Sequence, residues 1–179
     1  MKNYRRGIMV VVFLLLVTFF VYRNYSQKYA IEGTLAGIDS AVGESLKAEI
    51  KTHEIQVVDN KLFFVFTMGS TVGSGELKRG LNNKYAFESA GYGTNDIRER
   101  IVETSEGQYL FTAGRNDQNI GKIKAYIEDG QYELNIPQGE YYVALVPVQA
   151  TDLNFVSGLI VIDREGNEIY RRNVPESIS

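Results

Sequence analysis

Residues 121–136 read GKIKAYIEDGQYELNI. Ile123, Ala125 and Ile127 alternate with Lys122, Lys124 and Tyr126. A period of two puts the first set on one face of an extended chain and the second on the other. Asp129-Gly130 is a turn pair. Beyond it Tyr132, Leu134 and Ile136 alternate with Glu133 and Asn135. Two alternating runs joined by a two-residue turn predict an antiparallel hairpin with one face in a core.

The same texture runs outward from this hairpin in both directions. Ile50–Val58 and Lys61–Met68 flank Asp59-Asn60, and both turn residues tolerate positive φ. Lys61–Met68 (KLFFVFTM) and Glu140–Val148 (EYYVALVPV) are apolar on both faces, which predicts central strands covered twice. Pro147 donates no ladder hydrogen bond and marks a strand end or an edge. Further strands are expected at Glu76–Leu81, Lys84–Ala90, Ile97–Thr104, Gln108–Ala113, Phe155–Ile162 and Glu168–Arg172. GSTVGSG (69–75), GYGTND (91–96) and GRNDQN (114–119) read as loops. No strand–helix–strand alternation appears, which argues against a doubly wound sheet, and no internal repeat emerges. The expected fold is mainly β: an N-terminal transmembrane helix and a short helical connector, followed by an antiparallel β-sandwich or barrel-like domain.

The N-terminal part differs in kind. Residues 7–22 read GIMVVVFLLLVTFFVY, and sixteen residues of helix span about 24 Å, a little under a hydrocarbon core of about 30 Å. Arg6 and Arg23 flank the run, and Tyr4, Tyr22 and Tyr25 stand where an interfacial aromatic belt belongs. After Tyr22 no small-x-small pair lies close enough to make a good leader-cleavage site, so an uncleaved signal-anchor is favoured over a removed secretory leader. Lys2, Arg5 and Arg6 outnumber Arg23 and Lys28, which places the N-terminus in the cytoplasm and the domain outside. Asn24-Tyr25-Ser26 matches a glycosylation sequon but stands too near the membrane. The expected organisation is 1–23 basic flank and signal-anchor, 24–48 juxtamembrane connector, 49–173 extracytoplasmic β-domain and 174–179 frayed tail. In the connector Ala30, Thr34, Leu35, Ile38, Val42 and Leu46 recur at helical spacing, with Asp39 or Ser40 as the expected cap.

Charge follows the same division. Residues 1–23 hold four basic residues and no acid, so +4 against a chain total of −3 leaves −7 on the remainder. That balance, with a pI near 5.3, argues against nucleic-acid binding. Cysteine is absent, which excludes disulfides, thiolate metal sites and a cysteine nucleophile, and suits an oxidising compartment. Hydrophobic residues make up 44% of the chain, enough to build a packed core.

The order of a basic start, one apolar segment, a short helical stretch, then EIQVVDNKLFFVFTM, GELKRGLNNKYAFESAGYG and GRNDQNIGKIKAYIED resembles a group of small single-pass membrane-anchored proteins of Gram-positive bacilli. The resemblance covers roughly residues 28–165. It implies a bacterial membrane location and a β-rich domain, and it transfers no catalytic or binding residue.

No residue is assigned a catalytic, cofactor-binding or metal role. His53 is the single histidine and has no evident nucleophile or orienting acid, so a surface or strand-edge position is expected. GSTVGSG lacks the Gly-Lys-Ser/Thr ending of a phosphate cradle, and Glu76 follows it. Asn116, Asp117 and Asn119, and Asp163, Glu165, Asn167 and Glu168, gather oxygen ligands without calcium-loop spacing, so plain turn chemistry is expected. Asp96, Glu99, Glu103 and Glu106 are interleaved by Arg98 and Arg100 and read as a solvated strand face. The tyrosines at 85, 92, 109, 126, 132, 141, 142 and 170 are ordinary strand residues, and without tryptophan they make a weak glycan platform. The functional expectation is a non-catalytic binding module in the cell envelope. It holds the bilayer through residues 7–22, engages an envelope or membrane protein, and needs no cofactor. The alternatives are a carboxylate-dependent glycan-directed enzyme and a secreted protein with its leader removed.

Overall fold

The computed structural model describes residues 2–174, with side chains placed for Met9 and for residues 11–174. The expected tail 174–179 lies outside the described residues except for Val174. Among the described residues two helices, α1 (Lys2–Lys28) and α2 (Leu35–Leu46), precede eleven strands. The strands are β1 (Lys51–Val58), β2 (Lys61–Met68), β3 (Thr71–Arg79), β4 (Tyr85–Gly93), β5 (Ile97–Glu103), β6 (Gln108–Arg115), β7 (Ile120–Ile127), β8 (Gly130–Asn135), β9 (Tyr141–Val148), β10 (Gly158–Asp163) and β11 (Glu168–Arg172).

Every strand pair is antiparallel, and the strands form three sheets: β1-β2-β3-β4, β5-β6-β9 and β11-β10-β7-β8. They stack with α2 as four layers. Ile38 and Val42 of α2 bury against Leu62, Phe64 and Phe66 on one face of β2. Phe63 and Val65 on its other face meet Phe111, Ala113 and Val143 of the middle sheet. The opposite face of that middle sheet carries Leu110, Tyr142 and Ala144, which pack on Ile123, Ala125, Leu159 and Val161. Each fully buried aromatic or aliphatic side chain contributes roughly 1.5–3 kcal/mol. The two strands that are apolar on both faces, β2 and β9, are thus each covered on both sides, as β6 also is, with Leu110 on one face and Phe111 and Ala113 on the other. No sheet closes on itself, so the architecture is a layered sandwich rather than a barrel.

GSTVGSG corrects the loop expected over 69–75. Only Gly69-Ser70 turns, and β3 begins at Thr71 with Val72, Gly73, Ser74 and Gly75 buried. The glycines are where neighbouring rings lie. A Cβ at Gly73 would stand 2.3 Å from Phe66 Cζ, and one at Gly75 equally close to Phe64 Cζ. GYGTND is likewise strand through Gly93. The turn of the 121–136 hairpin is Glu128-Asp129, one residue earlier than expected, with Glu128 at φ 51° and Gly130 paired with Ile127.

In the connector the helix cap is Thr34 rather than Asp39 or Ser40. Its hydroxyl accepts from Gly37 N at 3.1 Å, and α2 ends on Lys47 in the left-handed region. Asp39 instead accepts from Thr52 N at 2.6 Å, tying α2 to β1. Residues 24–28, placed in the connector by sequence, continue α1 without a break.

Among the described residues no helix is long and apolar enough to cross a membrane. The apolar run nominated for that role, 7–22, lies inside α1, and the helix goes on through Arg23, Asn24, Ser26, Gln27 and Lys28. From Val11 to Tyr22 every side chain is exposed.

Candidate functional site

The middle sheet ends in a cleft of about 330 Å³. Its floor is apolar, from Ile97, Ile120, Leu159 and Ile169. Its walls are the connection Thr94–Asp96 that carries the chain from the first sheet to the second, the end of β6 with Asp117 and Gln118 beyond it, and Tyr170 and Arg172 of β11. Antiparallel pairing of β5 with β6 sets Ile97 opposite Gly114, which brings these two loops together. Gly114 is required by close approach: a Cβ there would lie 2.0 Å from Asp96 O, and Arg115 N donates to that same carbonyl at 3.2 Å.

Three acids and two arginines line the cleft: Asp96, Glu99, Asp117, Arg115 and Arg172. Glu99 of β5 is ion-paired with Arg172 of β11, joining the middle and outer sheets. Arg115 faces Asp117 at 3.8 Å, and its guanidinium carbon stands 5.5 Å from the centre of the Tyr141 ring. The lining offers charges of both signs over an apolar floor. Such a surface is suited to a polar ligand with apolar parts.

The acidic stretch is divided by the fold. Asp96 and Glu99 line the cleft, while Glu103 is exposed at the far end of β5 and Glu106 lies in the turn beyond it. The expectation of a solvated face over 96–106 is corrected, because Arg98, Glu99 and Arg100 are half-buried. Arg100 turns toward the first sheet, 5.1 Å from the Phe111 ring centre, and donates to Ser89 Oγ at 3.2 Å. It meets Glu76 at 3.8 Å, and Lys61 binds Glu76 at 3.2 Å and Glu88 at 3.1 Å. A bulge between β3 and β4, with Glu76 opposite Ser89 and Leu77 opposite Phe87, lets the successive residues Glu88 and Ser89 reach the same cluster. This cluster of two cations and two carboxylates is internally balanced and lies between sheets.

His53 sits at a bulge of β1, which turns its ring onto Tyr141 with centres 3.7 Å apart and planes at 12°. Its Nε2 lies 2.9 Å from Thr67 Oγ1. Loss of water contact, with Lys51 nearby, lowers its pKa below the ordinary 6.5. The two oxygen-rich loops use their side chains on themselves. Asn116 bonds both N–H and C=O of Ile120. Asp163 accepts from Glu165 N at 2.9 Å, Asn167 N at 2.8 Å and Asn167 Nδ2 at 2.9 Å, and these bonds depress its pKa. Among the described residues no group of three His, Asp or Glu side chains is placed to hold a metal ion. The tyrosines are dispersed: Tyr85, Tyr126 and Tyr142 are buried, Tyr141 stacks on His53, and Tyr170 lies in the cleft.

Sequence reasoning missed the cleft because four separated segments build it. The available signal was that GYGTND precedes β5 and GRNDQN follows β6, so a hairpin between them puts both loops at one end. Comparison with protein-family models, curated proteins and solved structures finds no match to this chain.

Proposed function

We propose that the chain is a single-pass membrane protein of the bacterial cell envelope whose outward β-domain is a non-catalytic binding module, with the cleft as its binding site. The supporting observation is that the cleft and α1 meet opposite ends of the stack. The end of α1 touches the β3–β4 turn through Tyr25 and Leu81. The β1–β2 turn is at that end as well, with Arg79 N donating to Asn60 O at 2.7 Å, and so is the β5–β6 turn, with Ser105 N donating to Asn60 Oδ1 at 2.9 Å. The cleft begins at the other end of β5, about 20 Å away at roughly 3.3 Å per residue. A bilayer holding α1 leaves the cleft facing outward. Among the described residues the apolar side chains of α1 from Val11 to Tyr22 are exposed, and a hydrocarbon layer is the environment that covers such a surface. The shortfall of the 16-residue run is one that a snorkelling Arg23 and a locally thinned bilayer accommodate.

The test is in-cell photocrosslinking of the full chain carrying a photoreactive residue at Gln118 in the cleft or at Glu106 at the opposite end. A discrete adduct from position 118, absent from 106 and lost on Arg115→Ala, is expected. Equal or no capture at both positions contradicts a cleft-mediated partner.

The second reading, a carboxylate-dependent glycan-directed enzyme, is favoured by Asp96 and Glu99 lining one cleft. Turnover of envelope glycans by residues 24–179, abolished in Asp96→Asn or Glu99→Gln, establishes it and overturns the binding module. Leader removal is tested by N-terminal sequencing of the mature form, since a start near Ile31 removes the anchor.

A further inference from the structure

We infer that the β3–β4 turn, Gly80-Leu81-Asn82, is a lipid-contacting tip seated in the headgroup layer, so that the domain is held in one orientation rather than loosely tethered. The inference rests on the membrane reading of α1. Leu81 is 94% exposed at a turn where a polar residue is the ordinary choice. A lone exposed leucine needs no explanation in itself. This one differs in its surroundings.

Its backbone N–H donates to the Tyr25 hydroxyl, and Asn82 Nδ2 donates to Tyr29 O at 2.9 Å. The Tyr25 and Tyr29 rings lie 4.7 Å apart and form the seat. Gly80 makes the fit possible, since a Cβ there would come within 2.6 Å of Tyr29 Cδ1 and 2.7 Å of the Tyr25 hydroxyl. Helix α1 is unbroken from Tyr22 to Lys28, and Ile31 bridges Tyr85 immediately afterwards. No flexible linker therefore separates the apolar run from the sheet.

Depth follows from helix rise. Tyr25 lies about 4.5 Å beyond Tyr22 along the axis, and Tyr29 about 10 Å, at 1.5 Å per residue. The polar layer on each side of a bilayer is about 5–8 Å thick. Tyr25, which binds the Leu81 amide, is thus at headgroup depth when Tyr22 ends the hydrocarbon span, and Tyr29 stands at the outer edge of that layer. The neighbouring chemistry agrees: Lys28 stands over the Tyr29 ring at 5.6 Å, and Arg79 and Lys84 flank the turn. A leucine set among tyrosines and cations is the composition of an interfacial anchor on an anionic bilayer.

The chain has no tryptophan, so single-tryptophan variants report without background. Full-length Leu81→Trp, Leu15→Trp and Tyr170→Trp are reconstituted into phosphatidylcholine–phosphatidylglycerol vesicles containing brominated lipids. The expected result is blue-shifted, quenched emission from positions 81 and 15, with position 81 quenched more by shallow bromines and position 15 by deep ones, and no quenching at 170. Combining Leu81→Trp with Tyr25→Phe removes one seat contact and is expected to reduce the shallow quenching. Quenching at 15 with red, unquenched emission at 81 overturns the tip while leaving the anchor intact, and is the outcome if a protein partner covers Leu81 instead. No quenching at 15 overturns the anchor itself.

Discussion

Phe64 and Phe66 lie across β3 because Gly75 and Gly73 leave room for their rings, and this pairing makes two glycines structural. Gly75 is the tighter position: beside the Phe64 contact, a Cβ would lie 2.6 Å from Ser89 O of the next strand. Gly75→Ala is expected to cost about 1–3 kcal/mol through overpacking, read as a lower denaturation midpoint at unchanged slope. Gly69→Ser meets no atoms within 4 Å, yet Gly69 holds φ 60°, so only a modest loss is expected there. His53 gives a second test at this scale. It is the only histidine, so its ring resonances titrate unambiguously by NMR, with a midpoint expected below 6.5. A folded-state pKa lowered from its unfolded value means stability fully present above about 6.5 and lost as pH falls through the lowered value. Depressed Asp163 and Glu133 act in the same direction at lower pH, through the bonds of Asn167 and the ion pairs of Lys122 and Lys124. His53→Asn is therefore expected to flatten the pH dependence of the melting temperature just below 6.5, a slope that calorimetry reads directly.

The elements show what periodicity transmits and what it does not. Lys61–Met68 was legible as a central strand because apolar side chains on both faces can only be covered from both sides. Tyr141–Val148 is covered on both faces as expected but is an edge strand of its sheet rather than a central one, because its cover comes from the sheets stacked above and below and not from a second strand neighbour. Residues 69–75 were not legible as strand, because glycine and serine carry no hydrophobic period and their place in the core depends on rings from another strand. The helix start was displaced for a similar reason. Asp39 has the chemistry of a cap, but its carboxylate is committed to Thr52 N on β1, leaving Thr34 as the cap. Thr34→Ala is expected to cost about 1 kcal/mol by loss of the cap. Asp39→Ala is expected to cost about 1–3 kcal/mol, because Thr52 N loses its charged acceptor in a half-buried setting. Hydrogen exchange separates the two: Thr34→Ala loosens the first turn of α2, whereas Asp39→Ala also exposes the Thr52 amide.

For the whole molecule, the sheets are joined by side chains that sequence reads only as surface charge. Lys61 and Glu76 are about nine-tenths buried between the first and middle sheets. Lys61→Met is expected to cost roughly 3 kcal/mol by removing the nearer cation from buried Glu76, and Lys61→Met/Glu76→Leu to recover part of that. The cleft belongs to this scale too, since its residues meet only when the sheets stack. Sequence supplied its two loops but neither the Glu99–Arg172 link nor the orientation opposite α1. The central claim, an anchored domain presenting that cleft outward, is tested most directly by labelling full-length Gln118→Cys in intact bacterial cells with a membrane-impermeant maleimide. The chain has no other cysteine. The account predicts labelling in intact cells, on protein that stays with the membrane fraction after alkaline carbonate extraction. Labelling only after the membrane is permeabilised, or release by carbonate, would contradict it.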